Sequence, residues 1–252
     1  MILFASDYDG TLNRKGVSTE DIEAIIEFRK KGHLFGMATG RSIGSIQGEI
    51  DKFAFPVDFI IGNNGGVIQN SQGETVLLHN LPKDLVEKVV EHLMTYDLFV
   101  YGGNDGFELG VHQVRPNPDF KPTMRSIDFS ELIEKDNVAV MFAFFADEKD
   151  AKKCVLELNE KFDGMLSCFS NKEYVDIGTY GISKKSGIDY LLDHLNLEAD
   201  VHVIGDEYND LPMISGFDGY TVESGTDEAK RCASRVFPSV ADAIRHALDC
   251  EK

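Results

Sequence analysis

The chain lacks a cysteine framework and a long apolar run, and each absence removes a class of protein. Only four of its 252 residues are cysteine (Cys154, Cys168, Cys232 and Cys250), scattered without a C-x-x-C pair. That spacing argues for reduced thiols and against a disulfide frame or a zinc site. The longest apolar stretch, 138–146, is too short to cross a bilayer. The first carboxylate, Asp7, arrives too early for a secretory signal, so a cytoplasmic protein is expected. Basic residues are scarce as well: 25 Lys and Arg stand against 43 Asp and Glu, for a net charge of −18. Such a balance disfavours nucleic acid or an anionic membrane as a partner. It also repels an anionic substrate, which would need a local metal or clustered cations. Nucleotide-binding glycine motifs (G-x-x-x-x-G-K-[ST], G-x-G-x-x-G) and a G-x-S-x-G elbow are missing, and the seven histidines show no metal-ligand spacing.

What is present is an ordinary globular composition, 42% hydrophobic and 27% charged. The first part of the chain alternates strand and helix. An apolar run at 2–6 reads as a buried parallel strand and ends in Asp7-Tyr8-Asp9-Gly10-Thr11. Ser18 opens a helix with Ile22, Ile25 and Ile26 at helical spacing and Gly32 as its stop. A strand at 33–38 leads to Thr39-Gly40-Arg41-Ser42, then a helix at 42–52. A third strand at 58–62 ends in Asn63-Asn64-Gly65-Gly66, followed by a hairpin around Asn70-Ser71-Gln72-Gly73. From about residue 81 the texture changes. A helix, strands at 98–101 and 107–114, a stretch at 115–122 with no strong element, a strand at 138–145, a helix capped by Asp147 and a strand near 165–169 suggest an α+β unit. Alternation then returns, with a helix over 183–195, a strand at 201–204, a short helix over 209–215, a strand at 220–222 and a closing helix over 239–249. The pattern predicts an α/β parallel sheet split by an inserted domain.

Two acids two residues apart at a strand end are costly unless a cation or a reaction uses them. Gly205-Asp206-Glu207-Tyr208-Asn209-Asp210 follows another apolar strand, so Asp206 and Asp210 share that kind of address. In one parallel sheet these acids would converge at the carboxyl edge, where ligands of open α/β sheets bind. Gathered carboxylates repel unless a hard cation such as magnesium joins them. Taken singly, each piece has a plainer use. Asp206 and Asp210 suit a helix cap and first turn, Lys184 suits an exposed lysine, Thr39–Ser42 a cap and Asn64-Gly65-Gly66 a turn. Asp7-Tyr8-Asp9-Gly10 lacks the third acid and distal Glu of a calcium-binding EF-hand loop.

The ordered set D-x-D-G-T at 7–11, T-G-R at 39–41, N-G-G at 64–66, G-I-S-K at 181–184 and G-D-x-x-N-D at 205–210 resembles the haloacid dehalogenase superfamily, specifically Cof-type phosphatases with a class IIB cap. The resemblance implies a Rossmann-like core at 1–81 and 173–252 and an inserted α/β cap at 82–172. It implies a magnesium-dependent hydrolase of small phosphate monoesters, a sugar phosphate or similar metabolite, acting through an aspartyl-phosphate. By position, Asp7 would be the nucleophile and Asp9 the general acid and base. Thr39 and Lys184 would hold the phosphoryl group, with Gly40, Arg41, Asn64 and Asn209 as further substrate contacts. Asp7, the Asp9 backbone carbonyl, Asp206 and Asp210 would bind Mg2+. A monomer or small homo-oligomer is expected. Two departures stand out: Lys185 replaces the Gly usual after the motif lysine, and 221–226 lacks the usual Asn-Ala pair. A sugar phosphomutase and a receiver-like phosphate sensor are the competing readings. The mutase would yield a rearranged sugar phosphate and the sensor a lasting phosphoprotein.

Overall fold

A computed structural model describes residues 1–117 and 125–250. In chain order the elements are β1 (Ile2–Ser6), α1 (Thr19–Lys30), β2 (Leu34–Ala38), α2 (Ile43–Phe53), β3 (Phe59–Gly62), β4 (Val67–Asn70) and β5 (Thr75–Leu78). Next come α3 (Lys83–Leu93), β6 (Leu98–Asn104), β7 (Leu109–Gln113), β8 (Ser126–Asp128), α4 (Phe129–Glu134), β9 (Val140–Phe145), α5 (Glu148–Lys161), β10 (Leu166–Asn171) and β11 (Tyr174–Thr179). The chain closes with α6 (Lys184–Leu195), β12 (Asp200–Gly205), α7 (Leu211–Gly216), β13 (Asp218–Val222), α8 (Asp227–Cys232), β14 (Arg235–Phe237) and α9 (Val240–Asp249). They form two compact units, Met1–Leu77 with Ser183–Lys252, and Leu78–Ile182.

The first unit holds an eight-stranded sheet in the order β14-β13-β12-β1-β2-β3-β4-β5. From β14 to β3 every neighbouring pair is parallel, and β4 joins β3 antiparallel. The strands form because their short runs are apolar throughout: all of β1 and β3 is buried, as parallel strands covered on both faces must be. Helices leave on cue. Ser18 caps α1 by accepting from the Asp21 amide at 3.0 Å, and Ser183 and Ser186 form a reciprocal box at the start of α6. On one side of the sheet Leu3, Ala5, Phe59, Ile61, Ile188, Leu191, Val203 and Met213 make a core. Elsewhere Phe4 stacks on Phe35 with centroids 6.1 Å apart and meets the edge of Phe28 of α1 at 6.0 Å. The buried Asp21 carboxylate also accepts from the Ala241 amide at 2.8 Å, which ties α1 to the first turn of α9.

One feature of this topology decides where chemistry sits. From β1 the chain moves one way through β2 and β3. After the second unit it returns on the other side of β1 as β12, β13 and β14. The order therefore reverses between β1 and β12, and loops leaving these two strands diverge to leave a crevice at their carboxyl ends.

The second unit is a six-stranded sheet, β10-β11-β9-β6-β7-β8, antiparallel except for the β7–β8 pair. Its core joins Leu85, Val86, Val89 and Leu93 of α3 and Cys154 and Leu158 of α5 to inward residues of the sheet such as Ala143, Val175 and Ile177. The unit runs Leu78–Ile182 where the sequence places an insert at 82–172, because β11 is hydrogen-bonded between β9 and β10 and belongs to this sheet. Four short elements, β8, α4, α8 and β14, have no counterpart in the sequence reading, nor has β11. Part of the stretch 115–122, expected to lack a strong element, lies outside the described residues. Among the described residues no helix is long and apolar enough to cross a membrane.

The four thiols divide by burial. Cys154 and Cys168 lie in the second unit's core, and burial pushes both up to about 12, whereas Cys232 and Cys250 are exposed. The thiolate is the reactive form. A thiol-disulfide reagent at about pH 8 is therefore expected to modify Cys232 and Cys250 promptly in the native protein, and all four thiols only after denaturation. Mass spectrometry of the labelled positions checks this, and prompt labelling of Cys154 or Cys168 would contradict the packing described.

Candidate active site

The crevice between β1 and β12 is built from groups that local chain geometry places one by one. The Asp7 amide donates to the Ile204 carbonyl at 2.9 Å, which prolongs the β1–β12 pairing to the first acid. Gly10 follows in the left-handed region (φ 84°), and a side-chain carbon there would collide with the Asp206 carboxylate, so only glycine lets the loop pass. The turn closes with the Asn13 amide donating to the Tyr8 carbonyl at 2.7 Å. Thr11 then donates from its hydroxyl to Asp206 Oδ1 at 2.5 Å.

Asp206 follows β12. Its backbone carbonyl accepts from both the amide and the hydroxyl of Thr226, at 2.9 and 3.1 Å. Asp210 turns back over Gly205, whose bare Cα makes room for it, and its Oδ2 accepts from the amides of Asp206 and Glu207 at 2.9 and 3.0 Å. Its Oδ1 accepts from Lys184 Nζ at 2.5 Å. The plain capping use and a site use thus coexist in one carboxylate. Lys184, in the first turn of α6 behind the Ser183 cap, is completely buried. Its ammonium also donates to Asp7 Oδ1 at 2.6 Å. Oxygens of Asp7, Asp206 and Asp210 lie within 4.8 Å of one another.

On the β2 and β3 side, Thr39 is buried and its backbone pairs with Ile61 and Asn64 at 2.8 and 2.9 Å. Its hydroxyl accepts from the Arg41 amide at 3.1 Å, and Ser42 caps α2. Asn64 adopts a left-handed backbone (φ 54°), and its Oδ1 accepts from Asn209 Nδ2 at 3.0 Å, so these two expected contacts meet. Gly40 leaves space beside Asn64, where a Cβ would stand 3.4 Å from the amide group. Arg41, an expected substrate contact, holds Asp9 in a two-pronged pair, Nε to Oδ2 and Nη2 to Oδ1, both at 2.7 Å. Lys185 is turned away: its Nζ pairs with Asp189 at 2.7 Å and lies 5.1 Å over the Phe217 ring.

The electrostatics are those of an anionic pit with one fixed cation. Burial pushes the Asp7 carboxyl well above its ordinary range, with Asp210 and Asp206 adding to the rise and Lys184 opposing it. Burial likewise raises Asp206 to about 6, against the Thr11 hydrogen bond. For Lys184, burial alone would lower the ammonium, but the carboxylates of Asp210 and Asp7 outweigh it and hold it above its ordinary range. Three carboxylates thus face one ammonium. The clustered donors are all oxygen, the set a hard divalent cation takes. Sequence reading left out Thr11 and Thr226, which orient Asp206, and Tyr8 and Glu49, which flank Arg41. Thr11 was within reach as part of the first motif. The others depend on contacts between segments far apart in the chain.

Comparison with known proteins adds an independent line. The family model described as haloacid dehalogenase-like hydrolase matches residues 4–248. The chain is 25% identical over 221 residues to an HMP-PP phosphatase of Klebsiella pneumoniae, covering 84% of this chain and 80% of that one. It is 26% identical over 226 residues to the Escherichia coli 5-amino-6-(5-phospho-D-ribitylamino)uracil phosphatase YbjI, covering 84% and 81%. A HAD/COF-like hydrolase from Plasmodium vivax superposes with a TM-score of 0.84 at 26% identity, over 99% of this chain and 96% of that one.

Removing one partner from a buried ion group costs about 3–5 kcal/mol, because the others stay desolvated. Lys184→Met is therefore expected to destabilise the metal-free protein by about that much, and Lys185→Met by less than about 1 kcal/mol, as for an exposed pair. Urea unfolding in the presence of a chelator measures both, and equal losses would contradict the burial of Lys184. Asp206 gives a pH test. Its folded carboxyl titrates near 6 against about 3.9 in an unfolded chain, so its contribution is full below the unfolded value and lost as pH rises through 6. In chelator, wild type should lose stability relative to Asp206→Asn between about pH 4 and 7. A flat difference would show that the carboxyl is not held protonated.

Proposed function

The chain belongs to the haloacid dehalogenase-like hydrolases and is a phosphatase of that family, and we propose that it hydrolyses small phosphate monoesters through a phosphorylated Asp7. The observation that carries this reading is the buried contact of Lys184 with Asp7 beside Asp206 and Asp210 at the sheet's switch point. Its relatives' names point to small phosphorylated metabolites, among them ribityl and pyrimidine compounds, and a substrate of that size is the expectation here. The unit Leu78–Ile182 is assigned the role of an inserted cap, and the cytoplasm is the assigned compartment.

Asp7 attacks phosphorus with the oxygen not engaged by Lys184, and the bond to the leaving oxygen breaks. Asp9, released from the Arg41 fork and protonated, gives that oxygen its proton, and as the resulting carboxylate then takes one from the water that cleaves the aspartyl-phosphate. The Lys184 ammonium and the Thr39 hydroxyl steady the charge on the moving phosphoryl group. Asn64 and Asn209 orient it, and the Gly40 and Arg41 backbone closes that side. Asp7, Asp206, Asp210 and the Asp9 carbonyl would hold Mg2+. When bound, the cation supplies charge neutralisation that admits an anionic phosphate to the carboxylate pit.

Phosphate release from a panel of sugar, pyrimidine and nucleotide monophosphates tests the reading, with product identity separating a hydrolase from a mutase. Activity is expected to vanish in chelator, and magnesium should raise the melting temperature of wild type more than that of Asp206→Asn. Turnover in chelator would overturn the metal assignment. Asp7→Asn should be inactive yet folded, and normal turnover would remove Asp7 as nucleophile. Lys184→Met should lower kcat roughly a hundredfold or more and Lys185→Met only a few-fold, measured by steady-state kinetics on folded variants. A larger loss at Lys185 would shift the cation's role by one residue.

A further inference from the structure

The sheet of the second unit has one face covered by its own helices and one that they leave open. Ala143, Val175 and Ile177 point into the core with α3 and α5. Side chains alternate along a strand, so Phe142, Phe144, Tyr174 and Asp176 stand on the opposite face. The register sets Asp176 directly across from Phe142 of β9 on one side and Phe169 of β10 on the other. Such cross-strand neighbours have Cβ atoms about 4.5–5.5 Å apart. Tyr174 is the preceding residue of β11 on this face, and its ring stacks on Phe144 with centroids 4.3 Å apart. Phe169 and Tyr174 are 57% and 42% exposed, so the strip is open to a ligand.

A carboxylate in such a strip is costly without a counter-charge. Although Asp176 reaches solvent, the protein around it desolvates the carboxyl and raises it to about 6. Among the described residues no Lys, Arg or His pairs with it, and no hydrogen bond reaches it. The other end of the strip shows what this combination takes. Phe99 meets Phe144 with centroids 5.6 Å apart. The Arg115 guanidinium carbon lies 4.1 Å from the centroid of the Phe99 ring, and its Nη2 pairs with Asp97 at 3.0 Å. There, an aromatic face and a carboxylate together hold a cation of the chain. Around Asp176 the rings and the carboxylate recur, and the described residues supply no cation.

We propose that this face is a binding site for a small organic ammonium ion, with Phe142, Phe169 and Tyr174 against its alkyl groups and Asp176 as its counter-charge. The negative faces of the rings and the carboxylate attract the same sign of charge, and the rings also cover apolar surface. A hard metal ion is a poor match, because it takes about six or more oxygens and one carboxylate stands here. An uncharged apolar molecule would desolvate Asp176 further without neutralising it. The site goes beyond the phosphatase reading and does not rest on it, so binding and phosphate release succeed or fail separately.

The probes are tetramethylammonium and tert-butanol, an uncharged molecule of similar size. Each is titrated into the intact chain at fixed ionic strength and about pH 8, where Asp176 is ionised. Tetramethylammonium is expected to bind with a Kd in the millimolar range and tert-butanol about tenfold more weakly or worse. Amide chemical shifts in wild type should move along β9, β10 and β11, which locates the site without any substitution. Asp176→Asn should weaken tetramethylammonium about tenfold, and Phe169→Leu, which keeps apolar bulk and removes the ring face, about threefold or more. Glu87→Gln, at an exposed acid of α3, should stay within about twofold of wild type, because a distant exposed charge is screened. That control separates a site from general attraction to a chain of net charge −18. Equal binding of the two probes, equal losses in Asp176→Asn and Glu87→Gln, shifts confined to the carboxylate pit of the first unit, or no measurable binding would each overturn the proposal. Folding of every variant is checked by circular dichroism, and if one fails to fold, the wild-type shift map and the comparison of probes decide.

Discussion

A buried ammonium between two carboxylates is the constraint on which the crevice depends. Lys184 brings together the end of β1, through Asp7, and the turn after β12, through Asp210, at 2.6 and 2.5 Å. Desolvating such ions is favourable only when their geometry is good and their remaining valences are met. The surrounding chain meets those conditions. The Ser183–Ser186 box fixes the first turn of α6, two backbone amides occupy the other Asp210 oxygen, and glycines at 10 and 205 leave the space that the carboxylates fill. The excess negative charge that remains is held by burial, which keeps Asp7 and Asp206 reluctant to ionise.

That arrangement is possible because the sheet reverses its order at β1 and β12. Two parallel strands side by side, leaving toward opposite flanks, present their ends to the same opening. Asp7 and Asp206 are far apart in the chain, and they become neighbours through the β1–β12 register, in which Ser6 lies opposite Ile204. The β2 and β3 ends add Thr39, Arg41 and Asn64 along the same edge, joined by backbone hydrogen bonds from Thr39 to Ile61 and Asn64. The second unit carries none of these residues and has its own core.

The roles of the cations show what a motif leaves open. Lys184 and Lys185 are chemically alike, yet one is completely buried against Asp7 and Asp210 and the other lies on Asp189 and Phe217. A helix turns about 100° per residue, so adjacent side chains cannot share a pocket. The Arg41 side chain has a partner that the motif does not reveal either. A guanidinium beside an unpaired carboxylate takes it in a forked geometry, and Asp9 is that carboxylate here.

Much was legible in the sequence because it depends on local rules. The buried strands at 2–6 and 58–62 declare themselves by unbroken apolar runs, α1 and α6 by their serine caps, and the strand-end acids by their position after those runs. Elements of three to six residues such as β8, α4, α8 and β14 carry too few positions for a period to show. The strand β11, with Val175 and Ile177 buried in alternation, was readable, and overlooking it set the expected insert boundary at 172. By itself, then, the sequence determined the fold class, the alternation and the kinds of residue at each strand end. The tertiary structure alone decided which carboxylate Lys184 and Arg41 each took, and that Tyr8 reached Glu49, 41 positions away. The physical reason is that propensity and periodicity act over a few residues. The pairing of buried charges is instead set by which segments the sheet order brings within hydrogen-bond distance.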